Sequence, residues 1–220
     1  MTLGEDAVFS AQTPAHIQLT TGLAALGLNP ECASTLLAYL TILQRWNHTY
    51  NLTAITDPEA MVQRHLLDAL SIHSYINAQR LADLGSGAGL PGIPLAIACP
   101  AMQIDLIESN GKKVRFLREV VYRLHLANVQ VIHSRIETVD APQRYDCLVA
   151  RALSSLARLA TLSAGMLRQT GQLFALKGVY PAEEIAALPP LWSVAAVHRL
   201  TVPGLNEQRH LVVLRPQEEG

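Results

Sequence analysis

Apolar side chains recur with a helical period through the first third of the chain. Between Pro14 and Leu26 they fall at Ile17, Leu19, Leu23 and Leu26, and Gly27 supplies a stop. Asn29-Pro30 reads as an N-cap with proline in the first turn. It opens a second helix through Leu36, Leu37, Leu40, Ile42 and Leu43 toward Trp46. Residues 51–55 form an irregular link. Asp57-Pro58 then repeats the cap-and-proline signal before a third helix through Val62, Leu66, Leu67, Leu70 and Ile72.

From about residue 80 the pattern changes to short apolar runs alternating with helical segments. Strands are predicted over 81–84, 103–107, 129–133, 145–149 and 172–176. Helices are predicted after the first strand and over 112–125, 155–167 and 183–188. Two last strands, 193–200 and 210–214, have no helix between them and read as an antiparallel hairpin at one edge. The alternation implies an α/β fold, a mostly parallel seven-stranded sheet with helices on both faces. Residues 1–78 read as an N-terminal helical extension packed on the core, and 79–220 as the ligand-binding core. The chain carries no internal repeat and no low-complexity segment.

Composition narrows the class. Half of the 220 residues are hydrophobic and the formal net charge is −1, which suits one complete core and excludes disorder. So balanced a charge gives no global pull toward nucleic acid or membrane, and an anionic partner must meet a local basic patch. Cys32, Cys99 and Cys147 are far apart and odd in number, so neither a disulfide framework nor a cysteine zinc site is expected. Glu5 and Asp6 stand where a signal peptide would be basic, and the apolar stretch 90–102 is broken by Pro91, Gly92, Pro94 and Pro100. A cytoplasmic protein that does not enter the membrane is the expectation.

The candidate chemistry begins at Gly85-Ser86-Gly87-Ala88-Gly89, between a predicted strand and a predicted helix. Glycines there allow a tight turn and close approach of a ligand to the backbone. Leu90 stands where a GxGxxG dinucleotide fingerprint needs its third glycine. Glu108 ends the second strand about 20 residues on, where a carboxylate accepts hydrogen bonds from ribose hydroxyls and opposes a 2′-phosphate. Asp83 adds an acid before the loop, which suits a cationic sulfonium better than a pyrophosphate. With the terminal hairpin, these features select S-adenosylmethionine (SAM) and a Rossmann-like class I methyltransferase fold over a nicotinamide site. Gly85, Gly87, Leu90 and Glu108 are the candidate cofactor residues.

Cations are the second group. Arg135, Arg151 and Lys177 follow the third, fourth and fifth strands, so they should face the ligand crevice unless they serve as structural ion pairs. Arg209 opens the last strand and is expected at the opposite end unless the hairpin folds it back. Lys112, Lys113, Arg115, Arg118 and Arg123 make one helix basic, either a solvated face or a phosphate-binding one. His65 and Asp68, three apart on one helix face, are either a paired core histidine or part of a substrate surface. Asn51 is either a loop-anchoring amide or an RNA contact. No residues cluster at metal-ligand spacing, and no metal is assigned.

The segments Trp46-Asn47-x-x-Tyr50-Asn51-Leu52-Thr53-Ala54-Ile55, Arg64-His65-Leu66-Leu67-Asp68-Ala69-Leu70 and Asp83 to Leu95 are characteristic in combination. Glu108-Ser109-x-x-Lys112-Lys113, Ser134-Arg135-Ile136-Glu137, Ala150-Arg151-Ala152, Ala175-Leu176-Lys177-Gly178 and Arg209-His210-Leu211-Val212-Val213 extend the pattern. On these segments the chain resembles the bacterial small-subunit ribosomal RNA guanine-N7 methyltransferases, the glucose-inhibited division protein B family. The resemblance implies SAM as cofactor, with contacts at Gly85, Leu90, Ile136, Glu137 and Arg151. It implies a 16S rRNA substrate, free or within the 30S subunit or an assembly intermediate, methylated at N7 of guanine 527. RNA contacts are then expected among Asn51, His65, Lys112, Lys113, Arg135, Lys177 and Arg209. Two positions depart from the family: Glu108 stands for a usual aspartate and Ala69 for a usual serine.

Guanine N7 has a lone pair and no proton, so no general base and no catalytic residue is assigned. The Asn/Asp-Pro-Pro-aromatic segment of exocyclic-amine methyltransferases is replaced by Ala150-Arg151-Ala152, and no cysteine falls in a loop suited to covalent attack. Apart from the resemblance, SAM-dependent transfer to a small molecule and a non-catalytic role in ribosome assembly stay open.

Overall fold

A computed structural model describes Phe9 and residues 12–217. Glu5 and Asp6, on which the signal-peptide reading rested, lie outside the described residues. The first helix, α1 (Pro14–Ala25), is capped by the Thr13 hydroxyl, which accepts from the His16 amide, and Gly27 follows with φ 74°. Asn29 accepts from the amide of Glu31 and opens a 3₁₀ turn, Pro30–Cys32, which runs into α2 (Ala33–Tyr50). Asp57 caps α3 (Pro58–Met61) by accepting from the Ala60 amide.

The third helix departs from its sequence pattern. A π-helical turn spans Val62–Leu67 between α3 and the short α4 (Asp68–Leu70). The wider turn breaks the register on which a His65–Asp68 pairing depended. His65 bonds to Thr53, and Asp68 bonds to two arginines.

The sheet strands are β1 (Arg80–Leu84), β2 (Gln103–Glu108), β3 (Val129–His133), β4 (Tyr145–Arg151), β5 (Leu167–Lys177), β6 (Trp192–Arg199) and β7 (His210–Pro216). Their order is β3-β2-β1-β4-β5-β7-β6. Strand β7 runs antiparallel to both its neighbours, so the hairpin folds inward and β6 becomes the edge. The remaining helices are α5 (Gly92–Ala98), α6 (Gly111–Arg123), α7 (Leu156–Ser163) and α8 (Ala182–Ala186). Helix α7 stops well short of residue 167, and β5 starts there instead of at 172. Met166 and Leu167 continue a helical apolar period, but Gly165 precedes them and their burial comes from the sheet.

Strand side chains alternate between two cores, one on each face. Cys147 and Val149 of β4 join one, Leu148 and Ala150 the other. The first core also holds Leu19, Leu23, Leu36, Leu40 and Leu43, so the N-terminal helices share it with α5, α6 and the sheet. The second is closed by Leu156, Leu159 and Ala160 of α7. Tyr39 of α2 is fully buried and donates its hydroxyl proton to the carbonyl of Ala88, 2.7 Å away, which ties the N-terminal helices to the glycine loop.

Helix α5 starts hard against β1. A Cβ on Gly92 would lie 2.3 Å from Leu106 Cδ2 and 2.7 Å from the Asp83 carboxylate. Gly92→Ala should therefore destabilise the protein by about 1–3 kcal/mol, the usual cost of overpacking. Urea denaturation checks this, and an unchanged midpoint would refute the close packing.

Candidate active site

The strand order reverses direction at β1, which has β2 on one side and β4 on the other. Ligands of open α/β sheets bind at the carboxyl ends of strands at such a point. A cavity of about 640 Å³ lies there. The glycine loop forms its floor: Gly85, Gly87 and Gly89 have φ of 66°, 59° and 88°, a region that L side chains rarely adopt. The amides of Gly85 and Ser86 donate to the carbonyl of Ile107 at 2.9 and 3.1 Å, which holds the loop against β2.

Glu108 is buried at the end of β2 with one carboxylate oxygen on the Gly87 amide (2.9 Å) and the other on the Asn110 amide (2.7 Å). Each oxygen keeps a further lone pair for a diol. Asp83 lies elsewhere than expected. It is wholly buried under the loop, outside the cavity wall, with one oxygen on the Gly92 amide at 2.9 Å and the other unpartnered among the described residues. Its role is to hold the loop-to-α5 junction, and burial raises its pKa to about 7.

All seven candidate cofactor residues line the cavity: Gly85, Gly87, Leu90, Glu108, Ile136, Glu137 and Arg151. Arg151 ends β4 and donates from one terminal nitrogen to Asp68 (3.0 Å) and to the carbonyl of Arg64 (3.1 Å). Glu137 meets Arg158, 3.5 Å away and largely exposed. Arg158 also lines the cavity, as do Thr53, Leu153 and Ser154, none of which stood out in the sequence because each is an isolated side chain in a loop or on a helix.

The expected RNA-facing residues divide. His65, Lys113 and Arg135 line the cavity, and Lys112 is exposed beside it in the first turn of α6. Burial, then the nearby Arg151, lowers the His65 pKa to about 4, so the imidazole is neutral at pH 7. Asn51 points elsewhere: it is the left-handed cap of α2 (φ 49°) on a separate hollow, and the loop is anchored by Asn47, whose side-chain oxygen accepts from the Thr53 amide at 2.8 Å.

Lys177 takes the structural ion pair that its position also allowed. Its ammonium is consumed by the Ser154 carbonyl (3.0 Å) and both oxygens of Glu184 (3.0 and 2.8 Å), leaving no donor for RNA. Arg209 corrects the expected placement: an antiparallel strand begins where its parallel neighbours end, and His210 pairs with Lys177. Arg209 therefore stands at the crevice end, bonded to Asp68 (3.0 Å), Glu207 (2.9 Å) and the Gln208 carbonyl (2.8 Å). It too is held within the protein.

Cys147 is buried, and burial pushes its thiol far up; Cys99 is half-buried and raised for the same reason. Neither is poised as a nucleophile. Among the described residues no group of three metal-ligating side chains occurs, and no helix is long and apolar enough to cross a membrane.

A family profile described as rRNA small subunit methyltransferase G matches residues 33–212. The chain belongs to this family. Ribosomal RNA small subunit methyltransferase G of Xylella fastidiosa is 55% identical over 96% of this chain and 98% of its own length. The protein of the same name from Xanthomonas oryzae pv. oryzae is 56% identical over 90% and 93%. The fold is similar to that of a SAM-dependent methyltransferase from Aquifex aeolicus, with 17% identity, a TM-score of 0.56, and coverage of 74% of this chain and 96% of that one.

SAM fits the groups that face the cavity of this methyltransferase G family member. A Cβ on Gly87 would meet only the Gly85 carbonyl, at 3.8 Å, so the loop is open on its ligand side. Glu108 offers acceptors for a ribose, and Leu90 and Ile136 supply apolar wall. The second terminal nitrogen of Arg151 makes no hydrogen bond among the described residues and is available to a carboxylate.

The raised pKa of Asp83 has a stability consequence. Between about pH 4 and 7 the folded protein keeps a proton that the unfolded chain has lost, so this contribution is full at low pH and falls as pH rises to about 7. Asp83→Asn retains an acceptor for Gly92 and removes the titration. Urea unfolding should show the variant gaining on the parent between pH 5 and pH 8, and a constant difference would refute the shift.

Proposed function

We propose that this protein transfers the methyl group of SAM to N7 of guanine 527 in 16S rRNA. The carrying observation is a switch-point crevice with a glycine floor and a ribose-accepting carboxylate, in a chain matched over nearly its whole length by rRNA small subunit methyltransferase G relatives. On this reading residues 79–220 are the catalytic core and 1–78 its N-terminal extension, whose described helices share the hydrophobic interior. A 16S rRNA substrate would fit a cytoplasmic protein acting on the 30S subunit or an assembly intermediate.

SAM, when bound, supplies a methyl group on a sulfonium. Gly85 and Gly87 would let the backbone approach it, Glu108 would hold the ribose, and Arg151 would meet the carboxylate. Transfer requires guanine N7 in line with the sulfur–methyl bond, so that the N–C bond forms as the S–C bond breaks and the sulfur leaves as a neutral thioether; positioning of this kind contributes about 7–11 kcal/mol. No side chain needs to remove a proton. Methylation makes the purine cationic, and His65 on the wall, being neutral, adds no opposing charge.

Lys112 and Lys113 fit phosphate contacts. They occupy the first turn of α6, where the helix dipole disfavours cations and no acid accompanies them, so helix stability does not account for them. Arg135 is exposed at the cavity rim.

Tritiated SAM with 30S particles and with protein-free 16S rRNA tests the reading. Label should enter RNA, and borohydride–aniline cleavage should map it to one N7-methylguanine. Label in neither substrate would sink the proposal. Replacing Lys112 and Lys113 together by alanine should weaken RNA binding and flatten its log–log salt slope by about 1.5. An unchanged slope would remove both lysines from the interface.

A further inference from the structure

Seven large apolar side chains are exposed among the described residues, and three of them flank the crevice mouth: Leu153 (38%), Val179 (71%) and Tyr180 (55%). They lie on the loops that leave β4 and β5, adjacent parallel strands. Leu153 lines the cavity, with its Cδ1 2.6 Å from where a Cβ on Gly85 would be.

The loop carrying Val179 and Tyr180 is anchored at each end. Lys177 before it is bonded to Glu184 of α8 and to the carbonyl of Ser154, which lines the cavity. His210 Nδ1 lies 3.0 Å from the Gly178 carbonyl, and the Tyr180 ring packs edge-on against the His210 ring with centroids 5.9 Å apart. Pro181 follows, buried. The tyrosine is thus held in place by its neighbours while more than half of its surface faces solvent.

We propose that Tyr180, on the loop tied through Lys177 to the cavity-lining Ser154, is a stacking surface for an unpaired base of the RNA substrate. The inference rests on the methylation reading and names how the RNA is received. In an A-form helix guanine N7 lies in a deep, narrow groove that side chains do not enter, so the reacting region must be presented unstacked. An unstacked base loses its neighbours, and a fixed aromatic face at the crevice mouth replaces one of them. The phenol face accepts any base, so selection of guanine is left to the cavity.

Two measurements on the full chain test this. In the first, methyl transfer from tritiated SAM to 30S particles is compared for the parent, Tyr180→Ala, Tyr180→Phe and Tyr180→Trp. The alanine variant should lose about 10- to 100-fold in kcat/KM for RNA, the range of one base–aromatic stack, while the aromatic variants stay within about threefold. SAM affinity and thermal unfolding should be unchanged throughout. In the second, a single-stranded RNA oligonucleotide with a central 2-aminopurine is titrated with protein, and its emission at saturation should be quenched by the parent relative to Tyr180→Ala. An alanine variant that matches the parent in both, or a phenylalanine variant as poor as alanine, overturns the stacking role. Quenching by a parent protein that labels no RNA defeats the methylation reading and leaves the stacking surface standing.

Discussion

Asp68 holds together three segments that are remote in sequence, and the crevice mouth takes its shape from that bond. One carboxylate oxygen accepts from Arg151 at the end of β4, the other from Arg209 at the start of β7. Arg151 also donates to the Arg64 carbonyl, and Glu207 bridges Arg209 back to the Arg64 side chain, which closes a ring. Asp68 is buried, and desolvating such a group costs several kcal/mol per ion unless partners satisfy it. Two guanidinium groups do so. Breaking one side would leave one buried carboxylate oxygen without its charged donor, so the ring holds the π-helical turn and two strand ends in one arrangement. Buried ion pairs contribute more to uniqueness of structure than to net stability in some systems, and the ring suits that role here.

The charges around the crevice are of both signs. Glu108 lies on the β2 side with both oxygens oriented by backbone amides, and the arginines lie on the β4 and β7 side. Glu108 keeps free lone pairs and Arg151 a free terminal nitrogen at different points of one cavity wall. Asp83 does not face that cavity. Its carboxylate is buried beneath the loop and sustains the junction with α5, so its chemistry is spent on the backbone.

Much of the fold was legible because periodicity and caps report local physics. Thr13, Asn29 and Asp57 cap the turns that follow them, and the strand alternation sorts side chains between two cores. The glycine spacing, Leu90 and Glu108 marked a ligand loop because each constrains what can approach the backbone. Less legible were the features that depend on partners from elsewhere in the chain. The π-helical turn has the same apolar pattern as an α-helix. For Lys177 the sequence left crevice-facing cation and structural ion pair open, and for Arg209 the end of the sheet, until Glu184 and Asp68 were brought against them. The anchoring amide of the 51–55 link is Asn47, four residues before Asn51, and only the fold of the loop separates the two.

By itself the sequence determined the class of fold, the position of the ligand loop and the acid that faces it, since these follow from residue type and spacing along one stretch of chain. Only the tertiary structure decided which charges are spent inside the protein and which reach the crevice. A charge is available or consumed according to its neighbours in space, and the neighbours of Lys177, Asp68 and Arg209 come from segments 7, 83 and 141 residues away.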